Sequence, residues 1–511
     1  MSLRGLGAAV LLAGLALTSC GGAAPRTTGA RAQGPSAVHY DVRVAGTDPW
    51  VLDVSVTLTG GADRLLANAP GGVVSVDVQD PGARGLRDAA RDGAQWPIRC
   101  EGTCVARYRL DLSAIADSGA TKEALRAGPD LIAPASTWLL RPEPLSVDVP
   151  VTIRVHPAPG VRFASGLRQR ADGTIDLQAQ ELRYAGYSAF GAFESFRVDA
   201  TEGVVDVAVL GGGDRFDSQL IEGWVRAAAS SLDHVYGRFP VKRAQVFVVP
   251  TAGSSRVDLG RTLPSGGAST LIFVGEDASE RDFSEDWILT HELFHLGVPS
   301  FWREGRWLDE GLATYYEPVI RTRAGQLSDH DLWSEFATQM PLGLPSAVGD
   351  PCLARDPDHR RIYWGGALFV LLADLEIRRR TGGARSLDDG LRAVLDRGGD
   401  ATKVWTVADF IAVIDEAVSV PVMHDLHARA SAEGTGACRS PLSLIEVCPE
   451  RGDRELAGLL HDLGIGAPET GAIAIADDAR WSELRRAIER PPAPRDRGRD
   501  SARLPIGRAL R

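Results

Sequence analysis

Beyond its N-terminus the sequence lacks any apolar segment that approaches the roughly 20 residues needed for a membrane-spanning helix. It also lacks an excess of basic residues, since the formal net charge is -11. Nucleic acid is therefore excluded as the main partner, because a phosphate backbone requires a basic surface. The cysteines lack the paired spacing of a cysteine zinc site. What remains is an ordinary globular composition in 511 residues, enough for several domains.

The N-terminus has the pattern of an export signal. Arg4 precedes an apolar run over 6–17, and the motif LTSC ends at Cys20. A short apolar region before small residues is typical of a signal peptide, here 1–19, and LTSC resembles the bacterial lipobox, which implies a lipid on Cys20. An ordinary signal peptide with a chance cysteine is the alternative. We expect attachment to the bacterial cell envelope through this lipid alone, and Gly21 favours the outer membrane.

The spacing of apolar residues divides the rest of the chain. Residues 20–37 contain much Gly, Ala and Pro, which is typical of a flexible tether, here lipidated. Over 38–210 apolar residues alternate with polar ones, which predicts half-buried strands and an all-β, sandwich-like N-terminal domain. Pro150 within one of these runs predicts an edge strand.

Near residue 212 the spacing becomes helical. The expected elements are a helix from about 220 to 236, strands over 244–249 and 270–274, and helices over 285–296 and 307–317. Ser284 is the expected N-cap of the helix over 285–296. We expect a second domain over 211–327, a mainly α-helical part over 328–490, and a disordered tail over 491–511. Further expected features are N-caps at Ser328, Ser386 and Thr406, and a long apolar helix over 363–380.

The motif that carries chemistry is HELFH, over 291–295. Residues four apart share one face of a helix, so His291 and His295 can bind one metal ion. Glu292 follows the first histidine and can act as general base on a water molecule held by the metal. Zinc suits imidazole and carboxylate ligands. The alternative is an exposed helix with two unrelated histidines.

A second motif, WLDEGLATYY, follows across a Gly/Pro turn over 307–316. Two antiparallel helices joined in this way can bring Glu310 opposite the histidine pair and complete three protein ligands. Without the neighbouring HELFH motif, Glu310 would be interpreted as a solvated helix carboxylate.

Together the two motifs resemble the gluzincin zinc metallopeptidases. They are similar to the aminopeptidase N family and more closely to the glycyl aminopeptidase family. Four further segments carry the resemblance: 186–196 (GYSAFGAFESF), 321–327 (RTRAGQL), 363–368 (YWGGAL) and 375–387 (LEIRRRTGGARSL). The resemblance covers roughly residues 40 to 400 and implies a β-rich domain, a thermolysin-like α+β zinc catalytic domain over 211–327 and a helical part over 328–490 that completes the active site. It also implies peptide or protein substrates. It implies zinc on His291, His295 and Glu310, with Glu292 as general base.

Tyr363 matches the tyrosine that donates a hydrogen bond to the oxyanion in related gluzincins. Gly365 stands where that family segment often has Lys. The alternative is a core aromatic at the start of a helix.

One departure concerns substrate binding. The aminopeptidases have a Gly-rich strand motif that ends in a Glu and binds the free α-amine. At the corresponding place this chain has SGGAST over 265–270, without a carboxylate. Gly266 and Gly267 can still line the substrate through backbone groups. The lost carboxylate motivates an alternative, a zinc endopeptidase. A non-catalytic surface lipoprotein with a vestigial metal site is a third hypothesis, and an intact Glu292 argues against it.

The remaining cysteines fit an exported protein. Cys100 and Cys104 flank a short turn and can form a disulfide, whereas Cys352, Cys438 and Cys448 leave an odd count. The pairing of those three and the oligomeric state stay open.

Overall fold

The computed structural model describes residues 34–212, 216–301, 305–344, 359–430, 449–466 and 473–490. The expected signal peptide, Cys20, nearly all of the tether and the tail at 491–511 lie outside the described residues, as do Cys352, Cys438 and Cys448. Within the described ranges, none of the helices has both the length and the apolar character needed to cross a bilayer.

The N-terminal region is built mainly from strands, as the alternation predicts. Along Trp50–Thr59, for example, buried residues alternate with half-buried ones. The strands are β1 (Ala37–Thr47), β2 (Trp50–Thr59), β3 (Ala62–Leu66), β4 (Val73–Gln79), β5 (Arg87–Asp88), β6 (Gln95–Cys100), β7 (Cys104–Asp111), β8 (Leu125–Ala127), β9 (Asp130–Pro134), β10 (Arg141–Glu143), β11 (Pro150–His156), β12 (Arg162–Ser165), β13 (Ile175–Gln178) and β14 (Tyr187–Gly191). A disulfide joins Cys100 to Cys104 across the β6–β7 turn. Two short helices, α1 (Leu112–Asp117) and α2 (Ala135–Trp138), make the region less purely β than expected.

These strands form three sheets. Seven of them lie in the order β13-β11-β1-β2-β7-β4-β5, and the smaller sheets have the orders β10-β3-β6 and β12-β14-β9-β8. The expectation that Pro150 marks an edge strand is wrong, because β11 lies between β1 and β13. Pairing with β1 begins at Val151, so the missing N–H of Pro150 removes no bond from that ladder.

A five-stranded sheet follows, and it changes the expected domain boundary. Its strands are β15 (Glu194–Ala200), β16 (Gly203–Val209), β17 (Arg243–Thr251), β18 (Val257–Leu263) and β19 (Ala268–Gly275). The order is β15-β16-β17-β19-β18. The boundary expected at residue 210 therefore falls inside one sheet, and a division near residue 193 fits the strand pairing. The period of two continues into β15 and β16, so spacing alone assigns them to the preceding region.

The remaining elements are helical. They are α3 (Ser218–Ser231), α4 (Asp233–Tyr236), α5 (Glu280–Glu285), α6 (Ile288–Phe294), α7 (Arg306–Arg323), α8 (Asp329–Gln339), α9 (His359–Arg380), α10 (Leu387–Asp396), α11 (Val407–Val418), α12 (Val422–Ala430), α13 (Pro449–Asp462) and α14 (Ser482–Glu489), with a two-stranded pair, β20 (Ile465–Gly466) and β21 (Ala474–Ile475). Ser328, Ser386 and Thr406 cap α8, α10 and α11 as predicted. One apolar core runs from Val198 to Ile488, so the parts expected over 211–327 and 328–490 share a core.

Candidate metal centre

The helix that carries the HELFH motif begins later than predicted. The Asp286 carboxylate accepts hydrogen bonds from the backbone N–H groups of Ile288, at 2.9 Å, and Leu289, at 3.1 Å. These bonds satisfy free donors at the start of α6. Ser284 lies instead inside α5, where its hydroxyl donates to the carbonyl of Arg281. Ser and Asp are both favoured at helix starts, and Ser284 and Asp286 are only two residues apart. The sequence alone therefore does not decide which of them caps the helix.

Two neighbouring helices bring the predicted ligands together. His291 lies in α6, His295 in the 3-10 turn that ends it, and Glu310 in α7. Glu310 Oε2 lies 3.6 Å from His291 Nε2 and 3.7 Å from His295 Nε2. Within the described ranges, these three residues are the only group of His, Cys, Asp or Glu side chains close enough to hold one ion, with ligand atoms within 4.8 Å of each other.

The spacing of these atoms suits zinc. Ligand atoms about 2.0 Å from a tetrahedral ion lie roughly 3.3 Å apart. The observed separations of 3.6 and 3.7 Å need little adjustment to reach that value. Two imidazoles and one carboxylate leave a fourth tetrahedral position, which is the donor set and open coordination of a catalytic zinc site. The three residues therefore fit the ion.

Asp309 orients the second histidine, a role that the sequence analysis missed. Its carboxylate lies 2.9 Å from His295 Nδ1. Since a carboxylate only accepts, Nδ1 carries the proton and Nε2 is left as the ligand atom. Burial opposes charge on His295, but Asp309, Glu310 and Glu292 outweigh it and raise the pKa of His295 to about 10, so an ion bound at Nε2 would displace a proton from that nitrogen. The position of Asp309 directly before Glu310 in the WLDEG segment is the sequence signal for this role.

The third ligand is held as a carboxylate. Burial disfavours its charge, but the two imidazoles and the hydroxyl of Tyr363 stabilise it and lower the pKa of Glu310 to about 2. Arg306, one turn earlier on α7, adds a guanidinium 3.6 Å from Glu310 Oε1. Arg306 also lies 3.1 Å from His359 Nδ1, so this histidine, which has no ligand-like spacing in the sequence, lies near the centre without joining it.

Tyr363 reaches the centre because α7 and α9 cross in close contact. A Cβ at Gly311 would lie 2.4 Å from the backbone of Gly366, so the crossing requires glycine. Tyr363 precedes Gly366 by one helical turn and shares its face. Its ring stacks on His291, with 6.1 Å between ring centroids. Burial and the adjacent Glu310 carboxylate raise the pKa of Tyr363, so its hydroxyl stays protonated.

Gly365, which replaces the family's Lys, also has a packing role. A Cβ at Gly343 would lie 2.3 Å from the backbone nitrogen of Gly365. The turn over 340–343 therefore packs directly on α9 at this point. The pair Gly365-Gly366 serves two close contacts, one on each side of α9.

The strand against Glu292 is β18. A Cβ at Gly260 would lie 2.4 Å from Cγ of Glu292, so only glycine fits there. The Thr262 hydroxyl donates to the backbone carbonyl of Glu292 at 3.0 Å. In the described part of the chain, β18 is the outer strand of its sheet and pairs only with β19.

Gly266 and Gly267, the predicted substrate-binding pair, lie at the junction with the N-terminal region. The Gly266 carbonyl accepts a hydrogen bond from the N–H of Arg168 at 2.8 Å. A Cβ at Gly267 would lie 2.1 Å from the carbonyl of Gly166, and its φ is +151°. Close approach between the two regions thus explains both glycines. The glycine that packs against the HELFH motif is Gly260, in a strand that the apolar spacing did not predict.

No family model and no curated protein matches the sequence. Among solved structures, an aminopeptidase N family protein from Idiomarina loihiensis is similar, with a TM-score of 0.62 at 13% identity over 84% of this chain and 78% of that chain. This chain shares its fold. Mutants of a two-domain M1 zinc metallopeptidase bound to L-arginine and of an M1 zinc metallopeptidase from Deinococcus radiodurans give TM-scores of 0.47 and 0.46 at 14% identity, each over 77% of this chain and 92% of its own. Scores this low do not establish a shared fold.

Proposed function

We propose that this protein is a zinc-dependent peptidase. The observation that carries the proposal is the cluster of His291, His295 and Glu310, with Glu292 and Tyr363 beside it. The shared fold with an aminopeptidase N family protein supports it. A closer relation to the glycyl aminopeptidase family and a thermolysin-like catalytic unit belong to the same proposal, supported by the motifs in 291–316 and 363–368.

The side chains divide the work of peptide hydrolysis. His291, His295 and Glu310 would hold zinc, which would supply Lewis acidity to a water molecule and to the scissile carbonyl. Glu292 accepts the proton of the attacking water and returns it to the leaving amine. The Tyr363 hydroxyl donates a hydrogen bond to the negative charge that develops on the carbonyl oxygen. Asp309 holds His295 in the tautomer that binds metal.

An extended peptide fits the outer edge of β18. Unpaired backbone groups on an outer strand can bind a peptide as an added strand. Gly260 lets β18 pack directly against Glu292, so a peptide added to the outer edge of β18 would lie beside the general base. We propose aminopeptidase-like cleavage. An endopeptidase is the second candidate, because the segment 265–270 contains no carboxylate that could bind a free α-amine.

The deciding experiment measures zinc content and cleavage sites together. The purified protein is expected to contain about one zinc per chain and to cleave a peptide library only without chelator. Comparing free with amino-blocked peptides separates aminopeptidase from endopeptidase activity. A protein that holds zinc but cleaves no peptide would favour the non-catalytic lipoprotein. Cleavage that survives metal removal would contradict the proposed mechanism.

We also propose export and lipid attachment at Cys20, supported by the lipobox-like LTSC motif. Labelling cells with a fatty acid is expected to mark the wild type and not Cys20→Ser, and fractionation tests the outer membrane. Equal labelling of both would contradict the assignment.

A further inference from the structure

We propose that Arg261 is a specificity-determining residue that selects peptides with a carboxylate close to the scissile bond. The proposal rests on the proposed peptidase function and adds the substrate class. The observation behind it is that Arg261, a cationic side chain, lies at the edge of the catalytic centre in β18, the strand that packs on Glu292.

The first step is the position of Arg261. It directly follows Gly260, the residue whose missing side chain leaves room for Glu292. Neighbouring residues of a strand point to opposite faces, so Arg261 does not share the face of Gly260 and Thr262, which contact α6. It faces the N-terminal region, at the outer edge where a peptide can pair with β18.

The second step is the link between Arg261 and the centre. The Arg261 guanidinium lies beside the Tyr187 side chain, close enough to act on the pKa of its hydroxyl. Burial of Tyr187 raises the pKa of its hydroxyl, Arg261 lowers it, and Glu292 raises it, so both charges act on this one group. Tyr187 is only 4% exposed and is held by a 3.0 Å bond from its N–H to the Ser269 hydroxyl. The buried Tyr187 side chain therefore lies beside the Arg261 guanidinium and near the charge of Glu292.

The third step is that the charge of Arg261 is available. Its side chain is exposed, and no carboxylate of the described residues forms an ion pair with it. Two other arginines are paired: Arg256, five residues earlier in the chain, with Asp258 at 3.3 Å, and Arg306, beside the metal cluster, with Glu310 at 3.6 Å. An unpaired guanidinium beside a peptide-binding edge favours a negative group on the ligand.

The fourth step is the chemistry of recognition. A guanidinium binds a carboxylate through two parallel hydrogen bonds, and such charge-assisted bonds are stronger than neutral ones. The Tyr187 hydroxyl can orient the guanidinium for this contact. An amide of the same shape offers only one acceptor oxygen and no charge. Glu and Gln at a single peptide position are therefore the matched pair of probes.

The test uses full-length zinc-loaded protein and peptides that differ only in Glu, Gln or Lys, scanned over the positions flanking the cleaved bond. We expect kcat/KM to be about tenfold higher for Glu than for Gln at one position, the scale of one good charged contact, and lowest for Lys. Arg261→Gln should abolish the difference between the Glu and Gln peptides. Arg261→Lys should keep part of it. Arg256→Gln, on an exposed arginine already paired with Asp258, is the matched control and should change nothing.

Binding supplies a second readout. In the Glu292→Gln background, calorimetry on the Glu and Gln peptides should show about tenfold tighter binding of Glu, which is lost when Arg261→Gln is added. Unchanged zinc content and melting temperature show that the variant is folded. If wild type cleaves Glu and Gln peptides equally, or Arg261→Gln keeps the preference, this inference is wrong while the peptidase function stands. If zinc-loaded wild type cleaves no peptide, the proposed function fails instead, and the inference fails with it.

Discussion

Two of the charged clusters on helix α7, one around Glu310 and one around Arg323, differ in how their charges are neutralised. In the first half of the helix, Glu310 Oε2 lies 3.6 and 3.7 Å from two histidine nitrogens, which is too far for good hydrogen bonds. In its second half, protein groups bond the partner carboxylates directly. Asp374 accepts from Tyr315 at 2.9 Å, and Asp388 accepts from Tyr316 at 2.9 Å.

Arginines complete the second cluster. Arg323 donates to Asp388 at 3.0 Å, and both side chains are fully buried. Arg378 donates to Asp374 at 3.1 Å. Acidic residues whose oxygens already accept hydrogen bonds stabilise the fold. An acidic residue that lies about one ion diameter from its neighbours can instead bind a metal. Residue type alone does not separate the two clusters.

Glu292→Gln should give the largest change in activity. It removes the proposed base beside the cluster around Glu310 and leaves the packing of the side chain unchanged. Turnover is expected to fall about a hundred- to ten-thousand-fold, because an amide cannot accept the proton of water. Zinc content and melting temperature should match wild type. Steady-state kinetics and metal analysis check this, with the exposed Glu285→Gln as control. Hydrolysis at the parental rate would remove Glu292 from the mechanism.

Asp388→Asn should break the second cluster. Arg323 would lose its buried partner, which is expected to cost about 3–5 kcal/mol of unfolding free energy. Burial raises the pKa of Asp388, but Arg323, Arg378 and Arg392 outweigh it and hold that pKa below its ordinary value. The stability contributed by Asp388 is therefore present at neutral pH and is lost as the pH falls through the folded-state pKa.

Denaturant titration at several pH values measures this effect, and zinc content at low temperature should be unchanged. An unfolding free energy equal to that of wild type at neutral pH would show that Asp388 is not needed for stability.

Tyr363→Phe sharpens the comparison, because it removes one hydroxyl and keeps the ring that stacks on His291. We expect kcat to fall about a hundredfold, the usual scale for one oxyanion donor, with KM and zinc content little changed. Single-turnover kinetics measure the chemical step. An unchanged rate would assign Tyr363 to packing alone.

Asp309→Asn should have the smallest effect. The amide can bond His295 Nδ1 but cannot hold its proton as a carboxylate does, so zinc affinity should weaken about 10- to 100-fold. Competition with a chelator gives the affinity, and Asp329→Asn, on an exposed aspartate of α8, is the control. Equal affinities for Asp309→Asn and wild type would leave Asp309 without a role in orienting the ligand.

Much of the metal centre, and several of the helix starts, could be predicted from sequence because their signals are local. His291 and His295 are four residues apart on one helix, and Ser328, Ser386 and Thr406 cap the helices that they directly precede. The strand against Glu292 was not predicted, because a single Gly260 has a weaker signal than the Gly266-Gly267 pair. The pair meets the N-terminal region instead, a contact between segments about 100 residues apart.

By itself the sequence determined the residue types of the centre and the spacing of its two histidines, because both depend on helix geometry within a few residues. Only the tertiary structure decided that Glu310 joins them from α7 and that Tyr363 joins them through the backbone contact of Gly311 with Gly366. It also decided that β15 and β16 pair with β17 and that Arg261 lies beside Tyr187. These outcomes depend on packing between distant segments, and such packing has no local period in the chain.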